Sequence, residues 1–255
     1  MIPYSPSRLD STQFITERLK VLTRGRKSYL DVGCGRLFFY NLLRILNTRG
    51  NYIGIDLKPL KISKSQSNMV THVEKKDFLK YKNSRKFDIV ACFWVLEHIK
   101  DDEKTVLKIS SHLKNNGYLI LSVPSIWSWP FEFGRHGFHY YTKKKILNYV
   151  RESKFNIKEV YEAGGFVGFV FMIFYNWPRY LILILSLPFF ITLKLLNIYN
   201  KPWKIFSKNL ILSTLYFYHR WKIGIYLHNA IVKTIVKLDN ILKLFPASYI
   251  IIAQK

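Results

Sequence analysis

A chain of 255 residues is long enough to bury a full core in one large domain or in a domain with an appendage. Its 40 Lys and Arg against 16 Asp and Glu give a net charge of +24, which favours polyanionic partners: nucleic acid, an anionic membrane face or phosphorylated compounds. With only Cys34 and Cys92, a disulfide framework and a cysteine-rich zinc site are excluded, and a reducing cytosolic compartment is expected.

Leu9, Phe14, Ile15, Leu19 and Leu22 recur near helical spacing and predict an amphipathic helix over 9–22. The preceding stretch, with Pro3 and Arg8, lacks the basic-then-apolar pattern of a signal peptide. An apolar strand at 28–32 then runs through Asp31 into the turn Gly33-Cys34-Gly35. Missing side chains at such a turn allow unusual backbone angles and close approach to a ligand. After a helix at 37–47, a second strand at 51–55 ends in Asp56, twenty-five positions beyond Asp31. An acid there can take both hydroxyls of a ribose. A dinucleotide fingerprint requires a third glycine three places after Gly35, where Phe38 stands, and no Gly-Lys-Ser/Thr follows, so NAD and a P-loop are disfavoured. Helices at 58–67 and 101–113 alternate with strands at 70–74, 87–93 and 117–123, and Asn115-Asn116-Gly117 turns the chain into the last of these. Alternation of this kind predicts a parallel sheet with helices on both faces.

Beyond Pro124 lies an aromatic loop from Trp127 to Tyr141, containing Trp129, Phe131, Phe133, His136 and His139. Thr142 opens a basic helix to Arg151, and strands are expected at 155–161 and from Ser248 to the end. The stretch between these strands is read as an insertion. Residues 166–176 and 180–193 are apolar, and Pro178 is expected to stop any continuous helix between them. Each half is shorter than the roughly 20 residues needed to cross a bilayer. A second crossing over 210–227 would bury His219, Arg220 and Lys222, so both apolar pieces are expected to enter one leaflet, with Tyr175, Trp177, Arg179 and Tyr180 at the headgroups. Ile231, Ile235, Leu238, Leu242 and Phe245 form the apolar stripe of a basic helix. The alternative is a set of helices that cover the sheet edge or form a lid. Residues 163–255 carry 11 basic side chains and one acid, Asp239, so internal ion pairing is scarce.

Four segments in this order, Asp-Val-Gly-Cys-Gly at 31–35, Gly-Ile-Asp-Leu at 54–57, Lys-Lys-Asp-Phe at 75–78 and Phe-Asp-Ile-Val-Ala-Cys-Phe-Trp-Val-Leu-Glu-His at 87–98, resemble class I S-adenosylmethionine-dependent methyltransferases. The resemblance implies an α/β fold, a Rossmann-like seven-stranded, mostly parallel sheet. It implies a catalytic domain of 1–165 and 247–255, with 166–246 inserted before the last strand. It also implies that Gly33, Cys34 and Gly35 hold the methionine end of S-adenosylmethionine beside Asp31. Asp56 and Leu57 would meet the ribose side, Asp77 the adenine amino group, Phe78 the adenine ring, and Phe93 the sulfonium. Where the family usually has a third glycine this chain has Leu37, so the turn is expected to enter its helix differently. Taken singly, Asp31 and Asp56 also suit a helix cap and a turn, and Phe78 a core position.

A hydroxyl acceptor needs a base, and His139, His98 and Glu97 are the candidates, histidine being favoured because it titrates near neutrality. The Leu-Glu-His triplet resembles quinone-pathway O-methyltransferases in which acids and this histidine hold a divalent metal. Trp94 stands where the first acid would be, so no metal is expected. The favoured reading is O-methylation of an amphiphilic acceptor (a lipid-linked sugar, glycolipid or prenylated ring) by an enzyme peripheral to the cytoplasmic face of an anionic membrane. A nucleic-acid methyltransferase is the rival the charge allows, although no Asn/Asp-Pro-Pro-aromatic motif follows the fourth strand. A membrane-bound protein that kept the fold without activity is the third.

Overall fold

The computed structural model describes residues 5–60, 62, 68–132, 137–196 and 222–255, excepting the side chains at 132, 177–180, 183, 194 and 222. Helix α1 spans Pro6–Leu22, followed by β1 (Arg26–Val32), α2 (Phe38–Ile45), β2 (Arg49–Asp56), β3 (Met69–Lys75) and β4 (Phe87–Phe93). Then come α3 (Asp102–His112), β5 (Leu113–Pro124), the short α4 (Trp129–Glu132), α5 (Lys143–Glu152), β6 (Asn156–Ala163), α6 (Phe166–Leu195), α7 (Lys222–Asp239) and β7 (Ser248–Gln254).

All seven strands form one sheet in the order β3-β2-β1-β4-β5-β7-β6. β1 to β5 pair in parallel, whereas β7 runs antiparallel to both β5 and β6. The alternation of strand side chains divides the core into two layers. Leu30, Val32, Val90, Cys92, Leu119, Leu121 and Ile251 face Val106 and Ile109 of α3 and Ile146 and Val150 of α5. Tyr29, Tyr52, Ile89, Ala91, Ile120 and Ile252 face Ile15 and Leu19 of α1 and Phe39 and Leu43 of α2. Coverage of both faces is why these strands read as nearly continuous apolar runs. The order reverses between β1 and β4, and the crevice outside the carboxyl ends of such strands is where open α/β sheets bind ligands.

Most expected elements lie within a few residues of those observed. Thr142 caps α5 by accepting from the Lys145 amide at 3.2 Å. β5 begins at Leu113 rather than 117, with its register broken against β4 and Asn116 at φ +63, so the turn expected at 115–117 is a bulge within the strand. Of the helix expected at 58–67, residues 58–60 are not helical and nearly all the rest lies outside the described residues.

Ser11–Ser128, 137–163 and Ala247–Lys255 make up one compact unit, which holds the sheet. A second consists of residues 5–10, α4 and Gly164–Pro246, as far as these are described. Within it α6 corrects the expected break: one helix of 30 residues runs through both Pro178 and Pro188. Each proline withholds one backbone donor and the helix runs on past it; one turn before Pro178, Asn176 Nδ2 donates to the Met172 carbonyl at 2.7 Å. The stripe expected on α7 is also corrected. Ile225, Asn229, Val232, Val236 and Asp239 are buried, Ile235 with them, while Ile231 and Leu238 face out.

Asp239 explains that rotation, since its carboxylate accepts from the Gly168 amide at 3.0 and 3.2 Å at the start of α6. Gly165 and Gly168 leave the room, because a Cβ would meet Asp239 oxygens at 2.9 and 2.5 Å. Nearby, Asp10 accepts from Gly164 N at 2.8 Å and lies 3.3 Å from Lys243 Nζ, so one lysine of this stretch is paired internally. Among the described residues no helix is long and apolar enough to cross a membrane. His219 and Arg220 and the side chains of Trp177, Arg179 and Tyr180 lie outside that description.

Candidate active site

The carboxyl end of β1 is built around a buried acid. Asp31 pairs in register with Gly54 of β2 and Ala91 of β4 and is only 3% exposed. Burial pushes its carboxyl up to about 7, opposed by the Tyr52 hydroxyl, which donates to Oδ2 at 2.7 Å, and reinforced by the charge of Asp56. Gly54 makes this packing possible: a Cβ there would lie 2.9 Å from Cys34 Sγ and 3.0 Å from Tyr52 Oη.

The turn that follows needs its glycines for different reasons. Gly33 has φ +75, and a Cβ on it would strike the Val95 side chain at 2.3 Å, so both conformation and space demand glycine. The Gly33 and Cys34 amides donate to the Ile55 carbonyl at 2.8 and 3.1 Å, locking the turn to β2. Gly35 has φ +40, yet a Cβ there would meet only Asp56 Oδ2 and Gly33 O, both at 3.8 Å. The backbone at Gly35 is therefore open to an approaching ligand. Leu37 closes the turn by donating to Cys34 O at 2.6 Å and enters α2 in the left-handed conformation, φ +63. An L-residue adopts it at a cost of about 1–2 kcal/mol.

Asp56 ends β2 half-buried, one oxygen accepting from Gly35 N at 3.0 Å and the other from Lys58 N at 2.7 Å. An ionised carboxylate has about four acceptor sites, so it retains capacity for a diol. Leu57 beside it is 66% exposed. Asp77 caps a 3₁₀ turn, accepting from Leu79 N at 2.9 Å. Phe78 is buried against Tyr81 and His112, with ring centroids 6.5 and 5.7 Å away, a core position. Phe93 is buried among Phe38 and Phe39, at 5.5 and 5.7 Å. Trp94 follows at φ +53, its amide donating to Ser122 O at 2.9 Å. Two bulky residues, Leu37 and Trp94, thus hold left-handed backbone at the strand ends of one crevice.

After β4 a second group assembles. Glu97 is fully buried, and its carbonyl accepts from the Phe138 and His139 amides at 2.9 and 3.3 Å, tying the end of the aromatic loop to this turn. His98 is exposed on the same turn. His139 Nε2 lies 3.2 Å from the Lys100 carbonyl and 3.8 Å from Asp102 Oδ2. With Nε2–H donating to that carbonyl, Nδ1 carries the basic lone pair. The Tyr141 hydroxyl donates to Asp102 Oδ2 at 3.0 Å, and Lys145 Nζ stands 3.9 Å from the same oxygen. Burial, with the charge of Asp102 next, holds the Tyr141 phenol well above its usual range, so it remains a donor.

The structure thus gathers Asp31, Gly33, Cys34, Gly35 and Asp56 into one turn and His139 into another group, with His98 packed beside Gly137 on the turn that carries Glu97. Sequence reasoning missed Tyr52 and Asp102. The only signal for Asp102 was a pair of acids directly behind the Leu-Glu-His segment. Among the described residues no group of three His, Cys, Asp or Glu is placed to hold a metal ion. His136 and Phe133 lie outside the described residues.

The methyltransferase domain family matches residues 9–160, more than half of the chain. A mitochondrial ubiquinone biosynthesis O-methyltransferase of Candida albicans is 26% identical over 199 residues, 67% of this chain and 59% of that protein. An uncharacterised protein of Methanocaldococcus jannaschii is 34% identical over 120 residues, 44% of this chain and 49% of that one. The alignments therefore span about half to three fifths of these curated relatives. Among solved structures, a candidate methyltransferase of Bacillus halodurans superposes with TM-score 0.53 at 14% identity, covering 94% of this chain and 98% of that one. An S-adenosylmethionine-dependent methyltransferase of Archaeoglobus fulgidus does so with TM-score 0.50 at 16% identity, covering 95% and 94%. With the family match over the sheet and the strand order observed, the chain belongs to the methyltransferase domain family and has the class I fold.

Proposed function

We propose that this protein transfers the methyl group of S-adenosylmethionine to a hydroxyl of an amphiphilic acceptor at a membrane surface. The observation that carries the reading is the β1–β2 crevice, where open backbone at Gly35, the Asp56 carboxylate and buried Asp31 converge. These fit the cofactor: Asp56 has spare acceptors for the ribose hydroxyls, Asp31 offers a carboxylate to the ammonium of the methionine end, and exposed Leu57 offers an apolar contact. When bound, S-adenosylmethionine supplies an electrophilic methyl on a sulfonium. The protein then has to align the acceptor oxygen and exclude water, because charge disperses in the transition state.

His139 Nδ1 takes the acceptor proton, and Asp102, 3.8 Å from Nε2, stabilises the imidazolium so formed. Oxygen as the acceptor atom is supported by this base and by the activity of the Candida albicans relative. The apolar character of the acceptor is supported by α6 and α7. Phe174, Ile184, Leu185 and Phe189 of α6 and Ile223 and Leu227 of α7 are each more than half exposed. They suit a lipid surface whose anionic headgroups meet the lysines of the same unit.

Calorimetric titration with S-adenosylmethionine tests the cofactor assignment: Asp56→Ala is expected to weaken binding by about 1.5–3 kcal/mol through lost charge-assisted hydrogen bonds. Absence of binding in the parent protein would remove the proposal. Transfer of labelled methyl to a prenylated catechol and to a lipid-linked sugar tests the chemistry. His139→Ala is expected to lower turnover by about 10²–10⁴ with cofactor affinity retained. An unchanged rate would shift the reading to an acceptor that needs no histidine base.

A further inference from the structure

At the opposite, amino-terminal edge of the sheet lies a cavity of about 720 Å³, formed where α1 turns into β1 and where α2 turns into β2. Lys20, Arg24, Arg26 and Arg49 line it with Asn47 and Asn68, and among the described residues no carboxylate does. Arg26 and Arg49 are direct register partners at the start of parallel β1 and β2. Adjacent strands lie about 4.8 Å apart, so the two side chains begin side by side, a like-charge pairing that an anion between them would relieve. Lys20 is bound by Glu17 at 2.6 Å, but Arg24, Arg26 and Arg49 have no carboxylate partner among the described residues. Three arginines thus line one hollow with no carboxylate partner among the described residues. Its rim is tied together by Asn68 Nδ2 donating to Asn47 Oδ1 at 2.8 Å, and a Cβ at Gly25 would meet nothing within 4 Å, so approach is open.

We propose that this cavity binds a phosphate-bearing polyanion of diphosphate size, separately from the methyl-transfer site. Guanidinium forks match phosphate oxygens bidentately, which sets this grouping apart from a scatter of surface lysines. The cavity is within the range of small-molecule sites and larger than one phosphate requires. Among the described residues its lining has no aromatic side chain on which bases would stack, which favours a compact phosphate over single-stranded nucleic acid. The six residue steps from Arg26 to Val32 separate it from the Asp31 crevice by roughly 20 Å, so a ligand here does not exclude the cofactor. The diphosphate has two possible sources, a soluble compound or the headgroup of a polyprenyl diphosphate.

Titration of the full chain with inorganic pyrophosphate, in low-chloride buffer, tests the site. Saturable one-to-one binding is expected, with a rise in melting temperature. In Arg26→Ser/Arg49→Ser, binding is expected to fall at least tenfold and the thermal shift to vanish, while S-adenosylmethionine affinity is unchanged. Vesicles of phosphatidylcholine with and without polyprenyl diphosphate separate the sources: capture in excess of that on undoped vesicles, reversed by pyrophosphate and lost in the variant, identifies the lipid headgroup. Pyrophosphate binding without such capture identifies the soluble compound. The proposal is overturned if pyrophosphate does not saturate, if the double variant binds it as the parent does, or if a short RNA occupies the protein and saturating pyrophosphate fails to displace it.

Discussion

Asp31 shows how a single residue sets function against stability. Its carboxyl titrates at about 7 in the folded protein, because burial outweighs the hydrogen bond from Tyr52, against 3.8 for an ordinary aspartate. Between pH 4 and 7 the folded state therefore holds a proton that the unfolded state has released, and stability falls as pH rises through that window. The loss is on the order of 4 kcal/mol once the carboxylate is ionised. Asp31→Asn removes this dependence and still accepts from Tyr52. It is expected to match the parent near pH 4 and exceed it at pH 8 in urea unfolding, while binding S-adenosylmethionine at least tenfold more weakly. A variant that gains nothing at pH 8 would mean that Asp31 is better solvated than its surroundings imply. Tyr52→Phe should move the other way, pushing the carboxyl higher and costing about 1 kcal/mol of net hydrogen bonding at neutral pH. Neither the pair nor its strength was legible in the sequence. Alternation gives the face on which a strand residue lies, but Tyr52 and Asp31 are 21 positions apart and meet only through the β1–β2 register.

Helix α2 illustrates the same limit for an element. Its span was readable from apolar spacing, but nothing in the residue type of Leu37 signals left-handed backbone. Leu37 is 8% exposed, so the favourable burial of its side chain works against an unfavourable φ of +63. Truncation to alanine keeps the strain and loses the packing, a cost of about 2–5 kcal/mol. Leu37→Gly loses the same packing but relieves about 1–2 kcal/mol of strain. The glycine variant should therefore be the more stable of the two, reversing the usual order at a helix end, and chemical denaturation of both variants reads the difference directly. Had the two followed the ordinary alanine preference, the backbone at Leu37 could not be left-handed in solution. For α6 the proline rule predicted a break that the structure does not have: the helix runs on through both Pro178 and Pro188, each of which withholds a single backbone donor. For α7 the apolar count chose the wrong face, because buried Asp239 fixes the rotation by binding the amide that opens α6. Parallel strands were the most legible elements, since each is an apolar run ending beside an acid or a turn.

At the scale of the molecule, charge and apolar surface point to the same partner. Residues 163–255 carry 11 basic side chains against Asp239 alone, and that carboxylate is buried on backbone amides rather than paired with a lysine. Of the lysines here only Lys243 has an internal carboxylate, Asp10, among the described residues. In the same unit Leu195 is 79% exposed and Ile184 66%, an apolar surface that water does not favour. A lipid bilayer with anionic headgroups, the surface proposed for this protein, would relieve both at once. Each basic residue near such a surface contributes about 1 kcal/mol, a part that salt screens, whereas burial of apolar side chains survives high salt. Flotation with phosphatidylcholine vesicles, with and without phosphatidylglycerol, should therefore show strong capture on the anionic vesicles. It should show weaker but persistent capture at about 1 M salt, where the screening length is near 3 Å. Phe174→Glu/Ile184→Glu/Phe189→Glu places three charges on exposed positions of α6 and is expected to abolish the salt-resistant part while S-adenosylmethionine affinity stays the same. Undiminished flotation of this variant would show that α6 meets no lipid. Complete release of the parent protein by salt would reduce the interaction to charge alone and leave the exposed apolar side chains to a protein partner.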